Sequence, residues 1–99
     1  MPTYWRPAFG SVTPSSGTAS FTLITMQGMI RQIYVKTTTS TTTFDLKITD
    51  ADSHDIYTST DETGVLNERL ELPTFSNTTV TIENASADEA FTYHFALEE

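Results

Sequence analysis

From Phe91 to Leu97 every second residue is large and apolar: Phe91, Tyr93, Phe95 and Leu97 alternate with Thr92, His94, Ala96 and Glu98. Side chains alternate across a strand with a period of two, so this stretch can bury one face only as β-structure. Phe44, Leu46 and Ile48 repeat the pattern against Asp45, Lys47 and Thr49, and Val80 and Ile82 repeat it again. Short Asx, Ser and Gly clusters punctuate the runs at Asp50 to Asp55, Asp61 to Gly64 and Asn84 to Ala90. Such side chains bond their own backbone and favour turning.

Taken in order, the chain reads as seven strands at the spacing of antiparallel sandwiches, with an eighth if the amino-terminal arm also pairs. The expected fold is all-β: an antiparallel β-sandwich, jelly-roll-like, with about seven or eight short strands. Two domains of description are expected, an extended arm over residues 1–19 and a sandwich over residues 20–99. The arm holds Pro2, Pro7 and Pro14 and little that looks regular. Its aromatics, Tyr4, Trp5 and Phe9, are unusual for a free tail and need a surface to dock on, either this domain's core or a neighbouring subunit. With Arg6 they form the candidate interaction site, and the sandwich is expected to survive loss of residues 1 to 10.

Three segments read less cleanly. Gly28 to Thr37 carries apolar groups on both faces, as for a strand covered twice or lying at an interface. In Val65 to Pro73, Leu66, Leu70 and Leu72 share a parity with Glu68 intruding; brevity and the flanking Gly64 and Pro73 favour strand over helix. Ile56 is the expected core residue of its strand. The run Thr37 to Thr43 reads as an edge or loop whose hydroxyls face water.

Thirteen Asp and Glu against five Lys and Arg give a net charge of −8, which repels nucleic-acid backbones and anionic lipid. No direct nucleic-acid or membrane partner is expected. Without cysteine neither a disulfide nor a thiolate metal site can form. The residues MPTYWRPAFG have no secretory pattern, so synthesis in a cytoplasm is expected. Asp50-Ala51-Asp52-Ser53-His54-Asp55 begins like a calcium loop but has Asp55 where glycine belongs and Asp61 where a bidentate Glu belongs, so a plain turn is the better reading. His54 and His94 are not at ligand spacing. No phosphate loop or nucleophile elbow occurs, so no enzyme and no cofactor or metal are expected. The glycosylation patterns at Asn77 and Asn84 are what chance gives in a chain so rich in Thr.

From Thr41 onward the order of elements resembles small all-β virion structural proteins of tailed bacteriophages. The matching elements are Thr41 to Asp45, Ile48 to Asp50, Ile56-Tyr57, Thr63-Gly64, Leu72-Pro73, Val80 to Ile82 and Asn84 to Phe91. The resemblance implies a capsid decoration or cement protein in the virion, a homo-oligomer with a trimer favoured, bound to the major capsid or other virion proteins. Tail, adaptor and fibre components share these elements. A carbohydrate- or surface-binding sandwich module is the alternative of another class.

Overall fold

The computed structural model describes residues 5–23, 28–74 and 77–98. Met26 and Gln27 of an expected turn, Phe75 and Ser76 of another, Tyr4, and the side chains of Trp5 and Arg6 lie outside the described residues. The described residues form eight strands: β1 (Trp5–Val12), β2 (Ala19–Leu23), β3 (Gly28–Lys36), β4 (Thr43–Thr49), β5 (Asp55–Thr63), β6 (Val65–Thr74), β7 (Thr78–Glu83) and β8 (Phe91–Glu98). They form two four-stranded antiparallel sheets, β1-β8-β3-β6 and β2-β7-β4-β5. First pairs with last, second with second last: this is the nesting of one long hairpin rolled up, the jelly-roll-like sandwich expected from the strand count.

The core lies between the sheets, where the alternating residues of both meet. Ile33, Val35, Phe91, Phe95 and Leu97 come from one sheet, and Phe44, Leu46, Ile48, Val80 and Ile82 from the other. Phe44 meets Phe91 edge to face at 5.2 Å, and Phe21 meets Phe95 the same way at 6.0 Å, so aromatic pairs bind the layers together. Burying each such ring contributes about 1.5–3 kcal/mol.

Residues 5–12 of the expected arm are strand β1, in register with β8 from Trp5↔Glu98 to Val12↔Phe91. Ala8 and Val12 pack against the core, so over these residues the segment is a layer of the sandwich with regular structure of its own. Its proline did not prevent this because β1 is an edge. Pro7 and Pro73 stand on β1 and β6, the two edge strands of their sheet, where a missing N–H need cost no ladder bond.

The double-faced pattern of β3 has a local cause. Register slips between Ile30 and Gln32 against β8, leaving Arg31 as an extra residue. The bulge turns Arg31 and Gln32 outward in succession, so Ile30 before it and Ile33 and Val35 after it all face one core. β6 slips in the same place, and its Leu70 and Leu72 are half-buried while Leu66 is fully so. Glu68 is exposed at the β5–β6 edge, where it accepts the Tyr57 hydroxyl. Tyr57, in register with Ile48, is thus the inward residue of β5; Ile56 packs half-buried at the end of the core.

Candidate binding face and the clusters that brace it

The outer face of the sheet β1-β8-β3-β6 is built in cross-strand rows. One row runs Phe9, His94, Tyr34, Asn67; the next runs Pro7, Ala96, Gln32, Arg69. Phe9 is 74% exposed and meets His94 edge to face, with ring planes 86° apart. Its exposure follows from parity: Ala8, Gly10 and Val12 face inward, so Phe9 cannot. Rings set edge to face give no coplanar surface for stacking a sugar ring.

Beside that row the bulge places Arg31 between two acids. Its Nε donates to Glu98 Oε2 at 2.5 Å and its Nη1 to Glu71 Oε1 at 2.7 Å. Hydrogen bonds to Glu98 and Glu71 push the guanidinium pKa up. Gln32 Nε2 donates to Asn67 Oδ1 at 3.0 Å. Arg31, Gln32, Arg69, Leu70, Glu71 and Ala96 surround an open depression of about 530 Å³. Arg69 and Lys36 are exposed on this face, and neither has an ion pair among the described residues.

At one end of the sandwich the polar residues hold loops together. The threonine run is largely the β3–β4 loop, and its hydroxyls do not simply meet water as the sequence led us to expect. Thr37 and Thr42 are each only 4% exposed. Thr37 Oγ1 has the carbonyls of Thr39 (2.6 Å) and Gly64 (2.9 Å) to share its one proton between, and Thr38 Oγ1 donates to that of Ala90 (2.6 Å). Glu89 accepts the Thr39 N–H at 3.0 Å, the Thr39 hydroxyl at 2.8 Å and the Thr42 hydroxyl at 2.5 Å. Those bonds, that from Thr42 first, hold the Glu89 carboxyl below its ordinary range. Its neighbour Asp88 accepts the N–H groups of Ser16 and Gly17, both at positive φ in the β1–β2 turn. Ser86 closes the set, accepting the Thr43 N–H and donating its own N–H to the Thr43 carbonyl. The β7–β8 loop is therefore a clasp on two other loops.

Two further carboxylates serve turns. Asp45 accepts the Asp61 N–H (2.9 Å) and the Asn84 side-chain amide (2.7 Å), which lower its pKa in that order and brace two residues at positive φ. Asp50 Oδ1 accepts the N–H groups of Asp52 and His54 at 2.9 and 2.8 Å, and the His54 bond is the main reason its pKa falls. The Asp50 loop is thus an Asx-type turn. Among the described residues no group of three His, Cys, Asp or Glu is placed to hold a metal ion. Tyr57 is pushed up to about 12, by burial first and then by its bond to Glu68.

Of the residues singled out from the sequence, the structure places Phe9 on the face and carries the backbone of Trp5 and Arg6 along the same edge strand. His94 lies beside Phe9 on β8, and His54 lies in the Asp50 turn, where its Nδ1 is 3.4 Å from Asp50 Oδ2. The Arg31 bulge and the Ser86, Asp88 and Glu89 clasp went unread. Their only signals were the double-faced apolar run of β3 and adjacent acids in a loop.

No protein-family model and no curated protein matches the chain. Among solved structures, it is similar to one of infectious bursal disease virus Gt strain, with 12% identity and TM-score 0.44, over 98% of this chain and 32% of that one. The VP2 subviral particle of the same virus gives 13% identity and TM-score 0.41, over 98% and 31%. The Drosophila NLP core, whose structure is described as giving insight into pentamer formation and histone binding, gives 16% and 0.45, over 94% and 97%. The chain spans about a third of the length of the viral chains it matches. At these identities and TM-scores nothing about the role of this chain is carried over from them.

Proposed function

We propose that this chain is a non-enzymatic virion structural protein, a capsid decoration or cement protein that binds and stabilises a phage shell. The observation that carries the reading is Phe9: a large apolar side chain, 74% exposed, fixed on a paired strand rather than on a loose tail. An aromatic held rigidly in water is an anchor in want of a partner, since aromatic side chains supply much of the energy at protein contacts. The resemblance of residues 41–91 to small phage virion proteins supplies the kind of partner, and the charge of −8 disfavours nucleic acid as the surface bound.

The three carboxylates with lowered pKa serve the fold. Asp45, Asp50 and Glu89 are all held ionised by donors that brace turns, whereas a general acid working near neutral pH needs its carboxyl pKa raised. The test is co-sedimentation of the purified chain with phage heads that lack their decoration protein. Saturable binding that raises the temperature at which heads release DNA is expected. A chain that leaves heads untouched but binds tails, or binds neither, overturns the cement reading.

A further inference from the structure

We infer that the outer face of β1-β8-β3-β6 is the docking surface for a second copy of this chain, whose acidic surface it receives. The inference rests on the reading above only in taking the chain to assemble.

Charge is the first argument. Among the described side chains, the face carries Arg31, Lys36 and Arg69 against Glu71 and Glu98, three cations and two carboxylates that sum to +1, in a chain whose net charge is −8. Three of the five cations in the protein are on this one sheet face. Elsewhere two copies meet as like charges; here one copy offers guanidinium and ammonium groups to the carboxylates of the other. Arg69 and Lys36, without ion pairs among the described residues, are free to make them across a boundary. Arg31 is already held by Glu71 and Glu98, so it shapes the surface rather than reaching out.

Apolar surface is the second. Phe9 stands at one margin of the face and the depression beside Arg69 at the other, a knob and a hollow on the same sheet. Four strands about 4.8 Å apart and about eight residues long give a face of about 500 Å² in projection. With side-chain relief that approaches the roughly 800 Å² per partner of a stable contact. Pairing through the edges of this sheet is disfavoured, because Pro7 and Pro73 each remove a backbone donor from its edge strands β1 and β6. A face meeting a different surface of its neighbour is a heterologous contact, and such contacts form rings where the rotation closes.

Sedimentation velocity across a concentration series tests this with the full chain, Phe9→Ser, Arg69→Glu and, on the other sheet, Thr58→Glu. All three positions are exposed, so the variants should keep the wild-type circular dichroism and melting temperature. The wild type is expected to self-associate, Phe9→Ser and Arg69→Glu to do so at least tenfold more weakly, and Thr58→Glu as the wild type does. A wild type monomeric throughout, or Phe9→Ser and Arg69→Glu variants that associate as well as it does, would overturn the inference. If the wild type is monomeric yet sediments with phage heads, the second-copy inference falls and the virion reading stands. If it self-associates through this face yet ignores heads, the inference stands and the cement reading falls.

Discussion

Gly64→Ala is expected to be among the most damaging single-methyl changes in the molecule. Gly64 sits between β5 and β6 at φ +74°, and a Cβ there would lie 2.5 Å from the carbonyl oxygen of Ser40 and 3.2 Å from its carbon. Left-handed backbone costs an L-residue about 1–2 kcal/mol before any contact is counted. The clash is with backbone, so relief requires the threonine loop to move by nearly 1 Å from contact at 2.5 Å to ordinary contact at 3.4 Å. That loop is tied to the same glycine by Thr37 N–H to Gly64 O and Gly64 N–H to Thr42 O, both 2.9 Å, and by the Thr37 hydroxyl. Loss of one such bond costs about 1 kcal/mol. The sum is about 2–3 kcal/mol, a large share of the roughly 5–15 kcal/mol typical of a whole domain. At about 4–8 °C per kcal/mol, Tm should fall by about 10–25 °C. Gly10→Ala is the control. Its Cβ would come within 2.8 Å of Tyr93 Oη, but the obstacle is the far end of a side chain and no unusual φ is involved. The phenol can tilt, at about 1 kcal/mol. Thermal melts followed by circular dichroism compare the two; a Gly64→Ala protein within about 3 °C of wild type, or one no worse than Gly10→Ala, would refute the account of that corner.

Other consequences follow from the same geometry. Glu89 has a folded-state pKa below its ordinary 4.5, so its contribution is present above that value and drains away as pH falls through the lowered one. Neutralising other acids relieves self-repulsion over the same range, so the readout is the difference between wild type and Glu89→Gln: their melting temperatures should converge as pH drops from 7 to 3, and a constant gap would show that the carboxylate charge is not what the loop uses. Tyr57, raised to about 12 from 10, favours the folded state below pH 10 and loses that preference as pH climbs toward 12; in a difference titration at 295 nm against Tyr57→Phe, the missing transition should be the late one, and an ordinary midpoint near 10 would count against its burial first and against its bond to Glu68 second. Removing residues 1–12 strips β1 from β8 and takes away the Ala8 and Val12 contacts, so the truncated chain should melt far below the full one rather than fold as an independent sandwich; equal melting temperatures would mean β1 adds nothing.

How much was legible varies with the kind of interaction. Period-two runs such as Phe91 to Leu97 and Phe44 to Ile48 report burial directly, because one parity must be dry, and these strands and their inward residues are readable from spacing alone. A bulge defeats that reading. Arg31 shifts the parity of β3 by one, and nothing local in the sequence marks where the shift falls. Hydroxyls are ambiguous for another reason: a threonine can bond water or a distant carboxylate equally well, and only folding brings Glu89 to Thr39 and Thr42, 50 and 47 residues away. The candidate face lies between these cases. Phe9 was visible as an aromatic wanting a surface, whereas its neighbours His94 and Tyr34 come from β8 and β3 and became neighbours only through register.

The most direct test of association through one face uses the wild-type chain and no substitution. Amide spectra of uniformly ¹⁵N-labelled protein, recorded dilute and concentrated, should differ at Phe9, Tyr34, Gln32, Arg69, His94 and their row neighbours on β1, β8, β3 and β6, together with one acidic surface elsewhere. Spectra that do not change with concentration, or changes confined to the outer face of β2-β7-β4-β5, would contradict it.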